Sequence, residues 1–380
     1  MHRLIKLIRE LPLARYLILI AIVGAISACG GGGGGSSQTP APTVPEPDGE
    51  PKQTSDFDNN FFSPYKTFEQ ICASPRTGSD LNGIRFTDVQ GTPEDEKNWL
   101  RSWSNTLYLW YNEIADIDPR NLTTLEYFEQ MQTFEISPSG SSKDKFHFTL
   151  PTDVYQEQSL AGISAGYGAT FVILEGAPPR QIVVAYTEPD TPATSPEVRL
   201  LRGTTILEVD GEDLVNGNSV DTLNNGLFPG DNETHTFLVR DSGEDTPRTI
   251  SMTSTQIVSI PVQNVSTIET NSGVVGYMTF NDHIKTAEAQ LIDAMTQLQT
   301  FGIDDLILDL RYNGGGFLDI ANELSYMIAG DAAVGRVFEE LEFNDQHLEF
   351  DPVTNRPLTP TQFHTTAQGF STPNGTPLPS

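Results

Sequence analysis

The residues best placed to do chemistry stand together around position 314. Arg311-Tyr312-Asn313-Gly314-Gly315-Gly316 follows the apolar run Leu306-Ile307-Leu308-Asp309-Leu310 and precedes a helical stretch from Phe317 to about Ala329. In the order strand, glycine loop, helix start, backbone N–H groups converge where developing negative charge can be held. A nucleotide-phosphate loop does not fit, because no Gly-Lys-Ser/Thr follows the glycines. A second glycine cluster, Gly166-Tyr167-Gly168-Ala169, precedes a strand. Glycines there let consecutive amides turn toward an anion, and the edge of the next strand is open to pairing.

The elements that must position these groups follow from apolar periodicity. Residues 274–280 read as a buried strand and residues 285–301 as a helix with Leu291, Ile292, Met295, Leu298 and Phe301 on one face. With the run at 306–310 this makes a βαβ unit, whose strands are expected to be parallel and whose crossover is expected to be right-handed. Upstream, residues 159–255 carry short strand patterns at 169–174, 181–186, 205–209, 236–240 and 249–253, with helical stretches near 196–201 and 219–226. Before them the period becomes helical. Thr92-Pro93-Glu94-Asp95 reads as a cap hydroxyl, a proline at the first helical position and first-turn acids. Trp99, Leu100, Trp103, Leu107, Trp110 and Tyr111 then recur at steps of three and four, and an aromatic stripe at that spacing is expected to be core. A second helix is expected over 124–134, with Leu125, Phe128 and Met131 on its apolar face, and His147 is expected to be a structural loop histidine.

The chain begins with an address. Arg3, Lys6, Arg9 and Arg15 accompany an apolar run at residues 16–25, too short to span a bilayer and suited to a signal peptide. The run ends in Ile26-Ser27-Ala28-Cys29, which resembles the bacterial lipobox. Residues 1–28 are therefore expected to be a leader and Cys29 the lipidated mature N-terminus. Two acyl chains give stable anchoring where one would be marginal. Residues 29–56, rich in Gly and Pro, have the composition of a flexible tether. The expected location is the cell envelope, at the outer membrane, facing the periplasm or the surface.

Composition narrows the function. The 380 residues carry 22 Lys+Arg against 51 Asp+Glu, a net charge of −29. Such an acidic surface repels phosphate backbones, so nucleic acid is excluded as a partner. With two cysteines the chain has no disulfide framework and no Cys-based zinc site, and no metal or cofactor is expected. Cys72 is left open between a small buried hydrophobe, a free thiol, an intermolecular bond and a partner outside the sequence.

Two stretches resemble known families. Arg202-Gly203-Thr204-Thr205-Ile206-Leu207-Glu208-Val209-Asp210-Gly211 resembles the part of PDZ domains where a turn glycine precedes a strand ending in an Asn/Asp-Gly turn. The usual Gly-Leu ahead of it is replaced by Arg199-Leu200-Leu201. LILDLR-x-NGGG resembles the signature of the C-terminal processing, or tail-specific, serine peptidases. The order of helical segment, PDZ-like module and βαβ unit is also similar to theirs over roughly residues 90–345. The resemblance implies cleavage of polypeptides near their C-termini by a serine nucleophile with a lysine base, and an oxyanion hole at Gly314 or Gly315. It also implies peptide-tail binding at Gly166, Tyr167, Gly168 and Ala169.

The expected fold class is α+β multidomain. A helical domain at 57–154 and a PDZ-like domain at 155–256 precede a partial α/β peptidase core at 257–380. The core is expected to be incomplete, because no Ser-Ala-Ser motif follows Gly316 and no lysine follows Lys285. His283, His347 and His364 are expected to play exposed polar roles, not to complete a triad. The chain is thus expected to be an inactive truncated peptidase, the alternative being a non-catalytic peptide-binding lipoprotein.

Overall fold

A computed structural model describes residues 61–80 and 83–380. The expected leader, the tether and Cys29 lie outside the described residues. The chain separates into two compact units. One runs to Tyr155 and resumes over Val337–Thr361; the other holds Gln156–Arg336 and Gln362–Ser380. The stretch 257–380, expected as one domain, is therefore divided between the units.

In the first unit, helix α1 (Pro93–Leu107) starts at a capping box, in which the Thr92 side chain accepts from the Asp95 amide and Asp95 Oδ2 accepts from the Thr92 amide at 2.9 Å. The helix ends before Trp110, which precedes a 3-10 turn at Tyr111–Glu113. Its last carbonyls are satisfied from far along the chain. Asn344 Nδ2 donates to the carbonyls of Thr106 and Tyr108 at 2.9 and 3.1 Å, and Gln346 Nε2 donates to that of Asn105 at 2.9 Å. The aromatic stripe is only half-buried, although Trp99 and Trp103 stack with ring centroids 5.6 Å apart. The buried side of α1 carries Lys97, Ser102 and Ser104 instead. Lys97 can be buried because its ammonium donates to the carbonyls of Pro119 and Leu122 at 2.8 and 3.0 Å.

Helix α2 (Thr124–Gln130) is shorter than its apolar pattern. It buries Tyr127, with Met131 one turn on, and leaves Leu125 exposed. His147 has the structural role expected of it: its ring stacks on Phe128 at 3.9 Å and Nε2 meets the Phe128 carbonyl at 2.7 Å. Cys72 is fully buried and disulfide-bonded, so it is not a free thiol.

The second unit begins with a β-module. Strand β1 (Ile163–Gly166) pairs antiparallel with β7 (Thr255–Val258). Between them, β2 (Ala169–Glu175), β3 (Gln181–Thr187), β4 (Thr205–Val209), β5 (Thr234–Arg240) and β6 (Arg248–Thr253) form an antiparallel sheet in the order β2-β3-β4-β5-β6, with β2 at the edge. Helix α3 (Val220–Leu227) covers a core that includes Ile206, Leu223, Phe237 and Val239. The expected helix at 196–201 is absent. Arg199 takes a left-handed φ of 44°, the conformation that glycine supplies most cheaply, and this breaks the helical run while Val198 and Leu200 enter the core.

Beyond the module, β8 (Val262–Thr270) pairs antiparallel with β9 (Gly273–Phe280), and β9 pairs parallel with β10 (Asp305–Asp309). Helix α4 (Ala287–Thr300) forms the β9–β10 crossover and α5 (Leu318–Ala329) follows the glycine loop. The expected βαβ unit is present, and β8 was not anticipated. Strand β10 is less buried than its composition implies. As the outer strand it packs Leu306 and Leu308 against the core and leaves Ile307 exposed, as is Leu310 just beyond its end. Phe301 is likewise exposed, whereas Glu288, on the inner face of α4, is fully buried. Residues 362–380 form a strap that returns over α4 and α5, seating Ala367 and Leu378 in the same core.

Candidate functional site

Strands β9 and β10 run parallel, so their C-terminal ends lie side by side, where open α/β sheets hold ligands. From β9 come Asn281, Asp282 and His283; from β10 comes Arg311 to Gly316. The loop is fixed by one side chain. Asn313 Nδ2 donates to the Phe280 carbonyl at 2.9 Å, and Asn313 Oδ1 accepts from the Gly315 amide at 2.8 Å. His283 then grips the next residue. Its amide donates to the Gly315 carbonyl at 2.9 Å, Nδ1 lies 3.1 Å from the same oxygen, and the Phe317 amide donates to the His283 carbonyl at 2.9 Å.

The two candidate oxyanion donors are therefore not equivalent. The Gly315 amide is occupied by Asn313, whereas the Gly314 amide has no acceptor among the described residues. Gly315 and Gly316 adopt φ of 93° and 135°. A Cβ on Gly316 would stand 2.6 Å from the His283 carbonyl oxygen, so glycine is required there by both conformation and space.

Electrostatics around the loop follow from burial and pairing. Asp309 is held far below the usual carboxylate range by hydrogen bonds from Arg311, aided by the Tyr277 hydroxyl at 2.7 Å. Burial pushes Asp282 up to about 6, opposed by a backbone hydrogen bond from His283. Burial also lowers the pKa of His283, which favours its neutral form. His283 is thus a covered loop-pinning residue, not an exposed one. His364 pairs with Asp319 at 2.9 Å and His347 Nε2 meets the Thr106 carbonyl at 3.0 Å, so neither stands at the loop. Among the described residues no group of three or more His, Cys, Asp or Glu side chains could hold a metal ion.

The second glycine cluster leads from β1 to β2. Tyr167 is buried, its hydroxyl donating to the Gly226 carbonyl at 2.9 Å and its ring meeting Phe237 edge-on at 5.5 Å. The carbonyls of Tyr167 and Gly168 accept from Ala193 and Glu188 at 2.9 and 2.7 Å. Their amides have no acceptor among the described residues. Between β2 and α3 lies a small cleft lined by Ile173, Glu175, Arg180, Asn224, Leu227 and Phe228. Asn224 is 4% exposed, and neither Nδ2 nor Oδ1 has a hydrogen-bond partner. Sequence reasoning located both glycine clusters but missed Asn313, His283 and Asn224. The Asn-Gly step was the available cue for Asn313; His283 and Asn224 gave none, because their partners or cleft come from distant segments.

Comparison with known proteins bears on the first cluster. Residues 273–356 match the model of peptidase family S41, and that span contains β9, α4, β10, the glycine loop and α5. The chain carries a peptidase S41 domain. It is also similar to the carboxyl-terminal-processing protease of Picosynechococcus sp. (strain ATCC 27264 / PCC 7002 / PR-6), with 30% identity over 161 residues, 40% of this chain and 37% of that protein. The chain thus spans little more than a third of this curated relative. Two solved structures resemble it at lower identity. An S41 protease structure from Bacteroides fragilis NCTC 9343 is 20% identical, with a TM-score of 0.43 over 69% of this chain and 65% of that one. The photosystem II D1 C-terminal processing protease is 18% identical, with a TM-score of 0.35 over 63% and 65%.

The S41 glycine loop generates a stability prediction. Gly316→Ala should cost about 2 kcal/mol, since the new Cβ meets backbone that cannot yield. Gly302→Ala, also at positive φ but with open space around it, should cost about 1 kcal/mol. Urea denaturation of both variants measures the difference, and equal costs would show that the loop is not pinned as described.

Proposed function

We propose that the chain is the docking and oxyanion-binding part of a serine-type peptidase of the C-terminal processing class, cutting polypeptides near their C-termini. The observation that carries this reading is the strand–glycine-loop–helix unit inside the S41 segment, with the Gly314 amide left open. An attacked peptide carbonyl needs a preorganised N–H donor for its developing charge. It also needs an activated nucleophile, and a serine can be activated by a lysine whose pKa is lowered by burial. Residues 1–380 contain no Ser-Ala-Ser after Gly316 and no lysine after Lys285. On this reading these residues alone hydrolyse no peptide bond.

The β-module, in the same reading, is a PDZ-like dock for C-terminal tails. The open amides of Tyr167 and Gly168 would meet the terminal carboxylate and the β2 edge would pair with the peptide. A tail lying in the β2–α3 cleft would also pass Asn224. The sequence further supports export and anchoring through a diacylated Cys29. A sulfur that carries a thioether cannot also form a disulfide, so on this reading Cys72 is bonded to a cysteine other than Cys29.

Four measurements test these statements. Purified residues 1–380 should cleave no peptide and take up no serine-directed probe. In parallel, a strain lacking the gene should accumulate envelope polypeptides with untrimmed C-termini, read by mass spectrometry; a labelled serine within 1–380 or unchanged termini would overturn the proposal. Peptides with a free C-terminal carboxylate should bind residues 1–380 at micromolar to millimolar strength, and amidating that terminus should abolish binding. Equal affinity for both forms would remove the carboxylate-loop assignment. Finally, non-reducing intact mass of membrane-extracted protein should give a chain starting at Cys29 with diacylglyceryl added, and Cys29→Ala should release it from the membrane or stall processing. An unmodified soluble N-terminus, or a Cys29–Cys72 disulfide, would exclude the anchor.

A further inference from the structure

Helices α4 and α5 bury two carboxyl groups that the glycine loop does not use. Glu288 and Glu323 are both 0% exposed, and both meet the strap. Glu288 Oε1 accepts from the amides of Gln368 and Gly369 at 3.0 Å each, and Oε2 accepts from those of Ser371 and Thr372 at 2.7 and 2.6 Å. Burial opposes a charge on Glu288, but these amides outweigh it and hold the group below the usual carboxylate range. Glu323 is provided for differently. Its Oε1 accepts from the Gln368 amide at 2.7 Å, while Oε2 has no donor.

An ionised Glu323 would put a second negative charge in this dry site with one oxygen unsatisfied, which is costly. A protonated Glu323 turns the orphan oxygen into a donor beside Glu288. Burial and the neighbouring charges of Glu288 and Asp319, opposed by the Gln368 amide, push Glu323 up to about 8. No basic group is among those setting its proton affinity. Asp319, on the same helix, is half-exposed at 51% and is paired with His364 of the strap.

We propose that Glu288 and Glu323 form a proton-dependent latch: with one proton between them they hold the strap on α4 and α5, and loss of that proton releases it. The strap bears on the site through Phe370, whose ring lies 4.8 Å from that of Phe317, the residue that follows the glycine loop. Because the proton is bound more tightly in the folded state than in the unfolded one, the stabilisation is complete below the ordinary glutamate range. It is lost as pH rises through about 8.

Hydrogen exchange of the strap amides between pH 6.5 and 9.5, with each rate divided by the intrinsic rate at that pH, reads the latch directly. In the wild-type chain, protection across 366–374 should fall as pH rises from 6.5 toward 8, by up to about tenfold per pH unit, and level off above that. In E323Q the carboxamide donates to Glu288 and accepts from Gln368 without titrating, so protection should stay flat to pH 9.5. E288Q should lose protection at every pH while β3 remains protected as the folding control. Wild-type protection that does not fall, or that falls equally in E323Q, would overturn the latch. Should E323Q fail to fold, carbon-13 titration of the wild-type carboxyl groups decides instead, because the latch requires a glutamate titrating above pH 7.

Discussion

Where two parallel strands end side by side, the ladder that held them runs out and something else must fix the spacing of their loops. Here that task falls to one carboxamide. Asn313 joins the last carbonyl of β9 to the Gly315 amide, so the end of one strand sets the path of the loop leaving the other. His283 completes the tie by bonding the Gly315 carbonyl and receiving the Phe317 amide. The direction in which α5 departs, the close approach of Gly316 and the openness of the Gly314 amide all follow from this small set of bonds.

The β-module is tied to the same unit by buried polar groups and not only by chain continuity. Glu188, at the end of β3, accepts from the Ile260 amide at 3.1 Å and from Gln263 Nε2 at 2.9 Å, stitching the module to the segment that enters β8. Arg202, ahead of β4, donates to the Tyr312 hydroxyl at 2.5 Å, and Tyr312 also lies against Tyr186 of β3. Tyr312 is a member of the glycine loop. An interaction that moves the edge of the module therefore has a short mechanical route to the loop that carries the open amide.

Much of this architecture was legible in the sequence because it rests on local patterns. The capping box of α1, the strands of the β-module, the α4 crossover and the glycine loop each leave a signature within about a dozen residues. What stayed hidden depends on residues that become neighbours only in the fold. Lys97 reads as a surface charge until the carbonyls of Pro119 and Leu122 are placed around its ammonium. Glu288 reads as a solvent-facing helix residue until the strap supplies its donors. Strand β10 reads as fully buried because apolar composition does not reveal that it is the outer strand. The helix expected at 196–201 failed for a different reason, the left-handed backbone at Arg199, to which periodicity is blind.

The capping of α1 by Asn344 and Gln346 has a consequence for how the chain comes together. These partners lie 236 to 241 residues beyond the carbonyls they satisfy. During synthesis the β-module can close on its own antiparallel neighbours soon after it emerges. The last carbonyls of α1, by contrast, must wait until Asn344 and Gln346 have been made. Assembly of the N-terminal unit is therefore dominated by one very long loop closure, whose entropic cost grows slowly with length but whose search is slow. The N-terminal unit is thus finished only after the β-module that follows it in sequence, the reverse of the order in which the two are synthesised.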